Sequence, residues 1–214
     1  MKIFEWLSPD QLLADDRWWD IYHSSFSRFE LDPKESLVFA LNKHILKIGR
    51  YQQDNHTVAI SVIQPMQRLP FTLLNYFAIA KPNRGNSLGS QLFLSLIQAG
   101  DYFFKSNREE YLGLIWEVEN PDAEADISQQ LIKQRRMQFY HKHGAHCFQH
   151  PFIQPPLVDQ QVVMMNLMYH SDRIIDYPLE KEIIETIYFE KYQTINHIEV
   201  PILMKLLAEC CKSE

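Results

Sequence analysis

The stretch Asn75-Tyr-Phe77-Ala-Ile79-Ala-Lys81-Pro-Asn-Arg84-Gly85-Asn86-Ser87-Leu88-Gly89-Ser90-Gln-Leu92-Phe93 decides how the chain is read. It opens as an apolar strand, passes through a short turn rich in Arg, Gly, Asn and Ser, and continues as an amphipathic helix. Gly85 and Gly89 put no Cβ in the way of a close ligand, and Asn86 and Ser87 tolerate tight turns. Backbone N–H groups of the turn and of the first helical turn can converge on one anion. The positive end of the helix dipole adds to that attraction. Arg84 supplies a fixed cation with a planar fork suited to phosphate. A strand, turn and helix of this kind is built to hold a pyrophosphate.

The spacing narrows the choice of nucleotide. A Walker loop ends in Gly-Lys-Ser/Thr, and Leu88-Gly89-Ser90 lacks the lysine. A dinucleotide fingerprint needs G-x-G-x-x-G, and this segment has only Gly85 and Gly89. It resembles instead the Arg-Gly-x-Gly-x-Gly/Ala acetyl-coenzyme A loop of the GNAT superfamily of N-acetyltransferases. Arg84, Gly85 and Gly89 match that motif, Leu88 fits its aliphatic slot, and Leu92 stands where the family carries a buried helix residue. The chain departs from the pattern at Ser87, where the middle glycine is usual. It departs again before Arg84, which only Asn83 separates from Pro82 where the family more often has two residues. The resemblance implies acetyl-CoA as co-substrate. Its contacts would be Phe77, Ile79, Lys81, Arg84, Gly85, Asn86, Ser87, Leu88, Gly89 and Ser90.

Length and composition fit one enzyme-sized domain with an extension: 214 residues, 46% hydrophobic and 22% charged. A net charge of −6 argues against nucleic acid as a partner and mildly favours a cationic substrate such as an amine. No apolar run approaches the length of a membrane span. Asp10, Asp15 and Asp16 interrupt the start before a signal-peptide core can form. Cys147, Cys210 and Cys211 make no disulfide framework. Together these point to a cytoplasmic protein.

The order of elements is that of an α/β protein. Strands are expected at Phe4–Leu7, Ile45–Tyr51, Thr57–Ile63, Leu73–Ala80, Tyr111–Val118, Ala145–Phe148 and Val162–Tyr169. Helices are expected over Asp16–Phe29, Lys34–Leu46, from Leu88 onward, and over Ile127–Lys142, which Gly144 ends. This succession is similar to the GNAT order, so residues 1–170 read as a GNAT-like domain. The implied architecture is α/β (α+β), with a mixed, mostly antiparallel central sheet flanked by helices. Residues 171–214 form a helical extension with two apolar stripes, Leu179, Ile183, Ile184, Ile187 and Tyr188, then Ile202, Leu203, Leu206, Leu207 and Cys210. The extension can pack on the domain, cover the acceptor cleft, or pair two subunits as a homodimer.

A second segment, Arg136-Met-Gln-Phe139-Tyr140-His-Lys-His-Gly144-Ala145, resembles the family's later motif, an aromatic pair four residues before Gly-Phe or Gly-Ala. The family then implies Tyr140 as general acid to the departing thiolate. Arg136 shares a helix stripe with Tyr140 at i and i+4, and a nearby cation lowers a phenol's pKa. On packing grounds alone, Phe139 and Tyr140 serve equally well as core residues near a helix end. Glu117 and Glu119 in Trp116-Glu-Val-Glu-Asn share one strand face, opposite Trp116 and Val118. Either is a candidate base for an ammonium substrate if burial raises its pKa, or else a solvent-facing or ion-paired carboxylate. His141, His143, His146, Cys147 and His150 cluster without dependable zinc spacing, so no metal is expected. Trp18, Trp19, Tyr22 and Phe26 read as core. The expected function is acetyl transfer from acetyl-CoA to a primary amine of a small molecule, peptide or protein. The rival is a non-catalytic module that binds acyl-CoA or a protein, and a third option is transfer of a longer acyl group.

Overall fold

Two adjacent residues with left-handed backbone, Asp54 (φ 50°) and Asn55 (φ 63°), close the hairpin from which the sheet grows. Asp and Asn are the non-glycine residues that tolerate this geometry, and two in a row match the right-handed strand twist. The hairpin joins β2 (Lys47–Gln53) to β3 (His56–Pro65). The computed structural model describes residues 2–85, 87–104, 110–157 and 161–212, so the expected contact Asn86 lies outside the described residues.

Around this hairpin stand β1 (Lys2–Trp6), β4 (Thr72–Ile79), β5 (Leu114–Glu119), β6 (His146–Cys147), β7 (Phe152–Gln154) and β8 (Val163–His170). The order is β1-β2-β3-β4-β5-β8-β6, with β7 also paired to β8. Every pairing is antiparallel except β4 with β5. The helices are α1 (Pro9–Leu13), α2 (Asp16–Ser25), α3 (Lys34–Asn42), α4 (Leu88–Phe103), α5 (Ile127–Lys142), α6 (Tyr177–Ile187) and α7 (Val200–Cys210). A wide π-helical turn, Tyr188–Gln193, continues α6. Among the described residues no helix is long and apolar enough to cross a membrane.

Local chemistry sets the boundaries. Ser8 and Gln11 form a reciprocal capping box that starts α1, an element absent from the sequence expectation. The Asp15 side chain accepts from the Trp18 amide and caps α2, which ends at Ser25 because Phe26 is already extended, short of the expected Phe29. Asp15 also takes Arg50 Nη1 at 2.7 Å and Thr57 Oγ1 at 2.8 Å, fastening α2 to β2 and β3. Asp126 caps α5, whose bounds are those expected, and Gly144 (φ 81°) follows its end. The short strand β7 was also absent from the expectation.

Helices cover both sheet faces. On one, Trp18, Ile21, Tyr22, Leu37 and Ala40 pack on Ile48, Ile60, Val62, Tyr76 and Ala78. On the other, Phe93, Leu96 and Tyr140 pack on Leu74, Leu114, Trp116, Val118 and Met168. The extension joins a third cluster, in which Ile183, Ile184, Ile187, Tyr188, Leu203 and Leu206 meet Phe71, Leu73, Ile115, Phe152 and Leu167. The extension therefore packs on the domain. A buried pair fixes it further: Glu180 takes the Gln149 and His150 amides and His150 Nδ1, the last at 2.9 Å.

Removing residues 172–214 is expected to uncover Phe71, Ile115, Phe152 and Leu167 and to abolish cooperative unfolding or cause aggregation. Thermal denaturation and light scattering of the truncated chain check this. An unchanged melting temperature and solution mass would show the tail to be dispensable for the core.

Candidate active site

A β-bulge creates the site. Val62 faces Tyr76 while Ile63 faces Leu74, so Asn75 is an extra residue in β4 with no partner in β3. A bulge bends its strand and sharpens the local twist. The parallel ladder to β5 accordingly runs only from Thr72–Leu114 to Leu74–Trp116 and then stops. Beyond it the strands diverge, and alternate backbone groups of β4 on that edge face the gap. A cavity of about 510 Å³ runs through it, lined from the α4 side by Phe77, Ile79, Arg84, Gly89, Phe139 and Tyr140. From the opposite side it is lined by Phe26, Glu30, Tyr76, Glu117, Gln154 and Lys191.

At one end lies the glycine-bearing loop. Gly85 takes φ 90° and Ser87 φ 56°, so the serine adopts the left-handed conformation that the family's middle glycine would take freely. For an L-residue this costs about 1–2 kcal/mol. A Cβ on Gly89 would sit 3.3 Å from Ile79 Cδ1 and 3.7 Å from Phe139 Cε2, so glycine lets α4 start close against β4 and α5. Arg84 Nε donates to the Ile79 carbonyl at 2.9 Å, which leaves its terminal nitrogens for an anion. Gly85, Ser87, Gly89 and Ser90 line the cavity. Lys81 is exposed on the short turn Lys81–Asn83, and Leu88 is buried against Val58, Ala59 and Leu92; neither is on the cavity wall.

The wall beside the loop is aromatic. Tyr140 packs its ring 4.9 Å from Trp116 and 5.2 Å from Phe93. Burial pushes its phenol up to about 12, and Arg136 pulls down only weakly. This corrects the expectation of a lowered pKa: the guanidinium is already engaged, Arg136 Nη1 donating to Glu119 at 2.5 Å. A phenol of this kind stays protonated at neutral pH and remains a proton donor. Two polar groups on the same wall lack partners among the described residues, the Asn75 side-chain amide and the Trp116 indole N–H, both buried.

The carboxylates divide. Glu117 and Glu119 do share the face opposite Trp116 and Val118, and both are ion-paired. Glu117 takes Lys191 Nζ at 2.8 Å and Tyr192 Oη at 2.6 Å, both from the π-helical turn of the extension. Glu119 takes Arg136, with Lys133 Nζ at 3.4 Å. Glu30, between α2 and α3, lines the same cavity, and among the described residues its carboxylate has no ion pair or hydrogen bond. Sequence reasoning named neither Glu30 nor Lys191. The histidines serve local structure, His141 Nδ1 meeting the Ala145 carbonyl and His143 Nδ1 that of Phe139. Among the described residues no three metal-binding side chains converge.

By sequence the chain matches no protein-family model and no curated protein. By structure it is similar to a GNAT-family acetyltransferase from Bacteroides thetaiotaomicron, with a TM-score of 0.70 and 17% identity, over 92% of this chain and 99% of the other. It is similar also to a GNAT-family acetyltransferase from Elizabethkingia anophelis with acetyl-CoA bound (TM-score 0.53, 14% identity, 79% and 97% covered). A third is the ribosomal-protein-S18-alanine N-acetyltransferase from Escherichia coli (TM-score 0.53, 16% identity, 83% and 97% covered). Bulged β4, diverging β5 and the loop that opens α4 thus sit in a known framework, and the fold of this chain is that of the GNAT acetyltransferases.

Proposed function

We propose that the chain is an acetyl-CoA-dependent N-acetyltransferase acting on a primary amine of a small molecule, peptide or protein. One observation carries this reading: a single cavity lies where β4 and β5 part, with the glycine-bearing loop at one end and ionisable groups at the other. The residues present fit the co-substrate. The loop has left-handed backbone at Gly85 and Ser87, and Gly89 leaves room at the start of α4.

Acetyl-CoA, when bound, supplies an activated thioester carbonyl. Arg84 and the amides of the Gly85–Ser90 loop hold its pyrophosphate. A backbone N–H of β4 near Ile79 faces the developing oxyanion. A carboxylate of the cavity, directly or through water, takes a proton from the ammonium, and Tyr140 protonates the departing sulfur. The chain's net charge of −6 favours a cationic acceptor over nucleic acid, and no metal is needed for direct attack.

A second reading, a non-catalytic acyl-CoA-binding module, is favoured by one observation: both sequence-derived base candidates are neutralised by Lys191, Arg136 and Lys133. Turnover separates the two.

Gly89→Glu is expected to place a carboxylate at the loop and weaken coenzyme A binding by more than about tenfold, or about 1.4 kcal/mol, in calorimetry. Undiminished binding by the folded variant would remove the basis of the assignment. Tyr140→Phe keeps the ring packing but not the proton. It is expected to leave coenzyme A affinity unchanged and to lower kcat by roughly 10²–10⁴-fold in a free-thiol assay. Lost affinity with intact turnover would reassign the hydroxyl to binding. No turnover by the native chain with any amine would favour the module.

A further inference from the structure

Among the described residues three carboxylates line the cavity, and the chain neutralises two of them itself. Glu117 is held by Lys191 and Tyr192, and Glu119 by Arg136 and Lys133. Both oxygens of each carboxylate are thereby occupied by the chain's own donors, so neither is turned free toward an acceptor. Glu30 is the third. We infer that Glu30, carried on the α2–α3 connection, is the general base that takes the proton from the acceptor ammonium, and that the C-terminal extension withdraws Glu117 from that role.

The backbone around Glu30 is fixed from three sides. Tyr76 Oη, from β4, donates to the Glu30 carbonyl at 2.7 Å and accepts the Asp32 amide at 2.9 Å. Gln154 Nε2, from β7, donates to the Phe29 carbonyl at 3.1 Å. Asn196 Nδ2, from the extension, donates to Asp32 Oδ1 at 2.5 Å. A base on a loop tied in this way keeps its place, as proton transfer requires. The charged groups that face it are Glu119 and Glu117 on β5, Arg136 and Lys133 on α5, and Lys191 on the extension. Burial first, and then Glu119, hold the Glu30 carboxyl up at about 7, with Arg136 and Lys133 pulling the other way. A base of that strength is matched to neutral pH.

This inference rests on the acetyltransferase reading. Glu30 takes one proton from the ammonium. The freed lone pair forms the C–N bond while the C–S bond breaks, and Tyr140 gives its proton to sulfur. The nitrogen sheds a second proton as the amide forms, which returns through water to the tyrosinate, and Glu30 releases its own to solvent. The protonated base cannot act, so the rate falls as pH drops through about 7.

The test is kcat/KM for an amine at saturating acetyl-CoA, from pH 5 to 9, on the full chain. The native protein should show an acidic limb near pH 7. Glu30→Gln should lower kcat/KM by roughly 10²–10⁴-fold and abolish the limb, with coenzyme A affinity and melting temperature unchanged. Glu30→Asp should keep the limb at a reduced rate, and Glu117→Gln and Glu119→Gln should retain a limb, moved to lower pH in Glu119→Gln because that carboxylate helps hold Glu30 up. A limb that persists in folded Glu30→Gln, or vanishes in Glu117→Gln alone, overturns the assignment while leaving the acetyltransferase reading intact. No turnover by the native chain overturns both.

Discussion

The whole site depends on one extra residue in a ladder. With Asn75 inserted opposite β3, β4 cannot stay straight beside β5, and their hydrogen bonding ends at Leu74 and Trp116. A sheet normally forbids passage from one face to the other, because every edge group is paired and every face is packed. Here, where the two central strands part, one cavity is lined both by the start of α4 and by groups from α2, β7 and the extension. The buried Asn75 amide, without a partner among the described residues, marks where the ladder was given up.

The glycine-bearing loop shows how a departure from a motif can be a departure in chemistry only. Ser87 stands where glycine is usual in the family it resembles, yet its backbone adopts the left-handed geometry that makes glycine usual. The loop thus keeps its left-handed backbone at some cost in strain, with Ser87 among the residues lining the cavity. Tyr140 makes the converse point. Its position on α5 was readable, but its acidity was not, because burial against Phe93 and Trp116 outweighs a cation already committed to Glu119.

What the sequence revealed was what local pattern carries. The strand, turn and helix around Arg84, the bounds of α5 set by Asp126 and Gly144, and the shared face of Glu117 and Glu119 all follow from neighbours within a few residues. Short elements escaped. The capping box at Ser8 and Gln11 precedes only one helical turn or so, and Phe152–Gln154 is too brief to show alternation. The electrostatics escaped for a different reason. Whether Glu117 is paired depends on Lys191, 74 positions later, and the charges that surround Glu30 are set by pairs among β5, α5 and the extension. No window along the chain contains that information.

The π-helical turn Tyr188–Gln193 brings this distance into the life of the molecule. Its wider coil turns Lys191 and Tyr192, adjacent in sequence, inward together onto Glu117. During synthesis the sheet, the loop and Tyr140 all emerge before these two residues do. A nascent chain that has reached β8 therefore already has Arg136 and Lys133 to compensate Glu119, but not the two residues that compensate Glu117. Until residue 192 is made and seated, Glu117 faces the gap uncompensated. The order in which the ribosome delivers the chain thus separates the building of the cleft from its electrostatic tuning, and the second waits on the last fifth of the sequence.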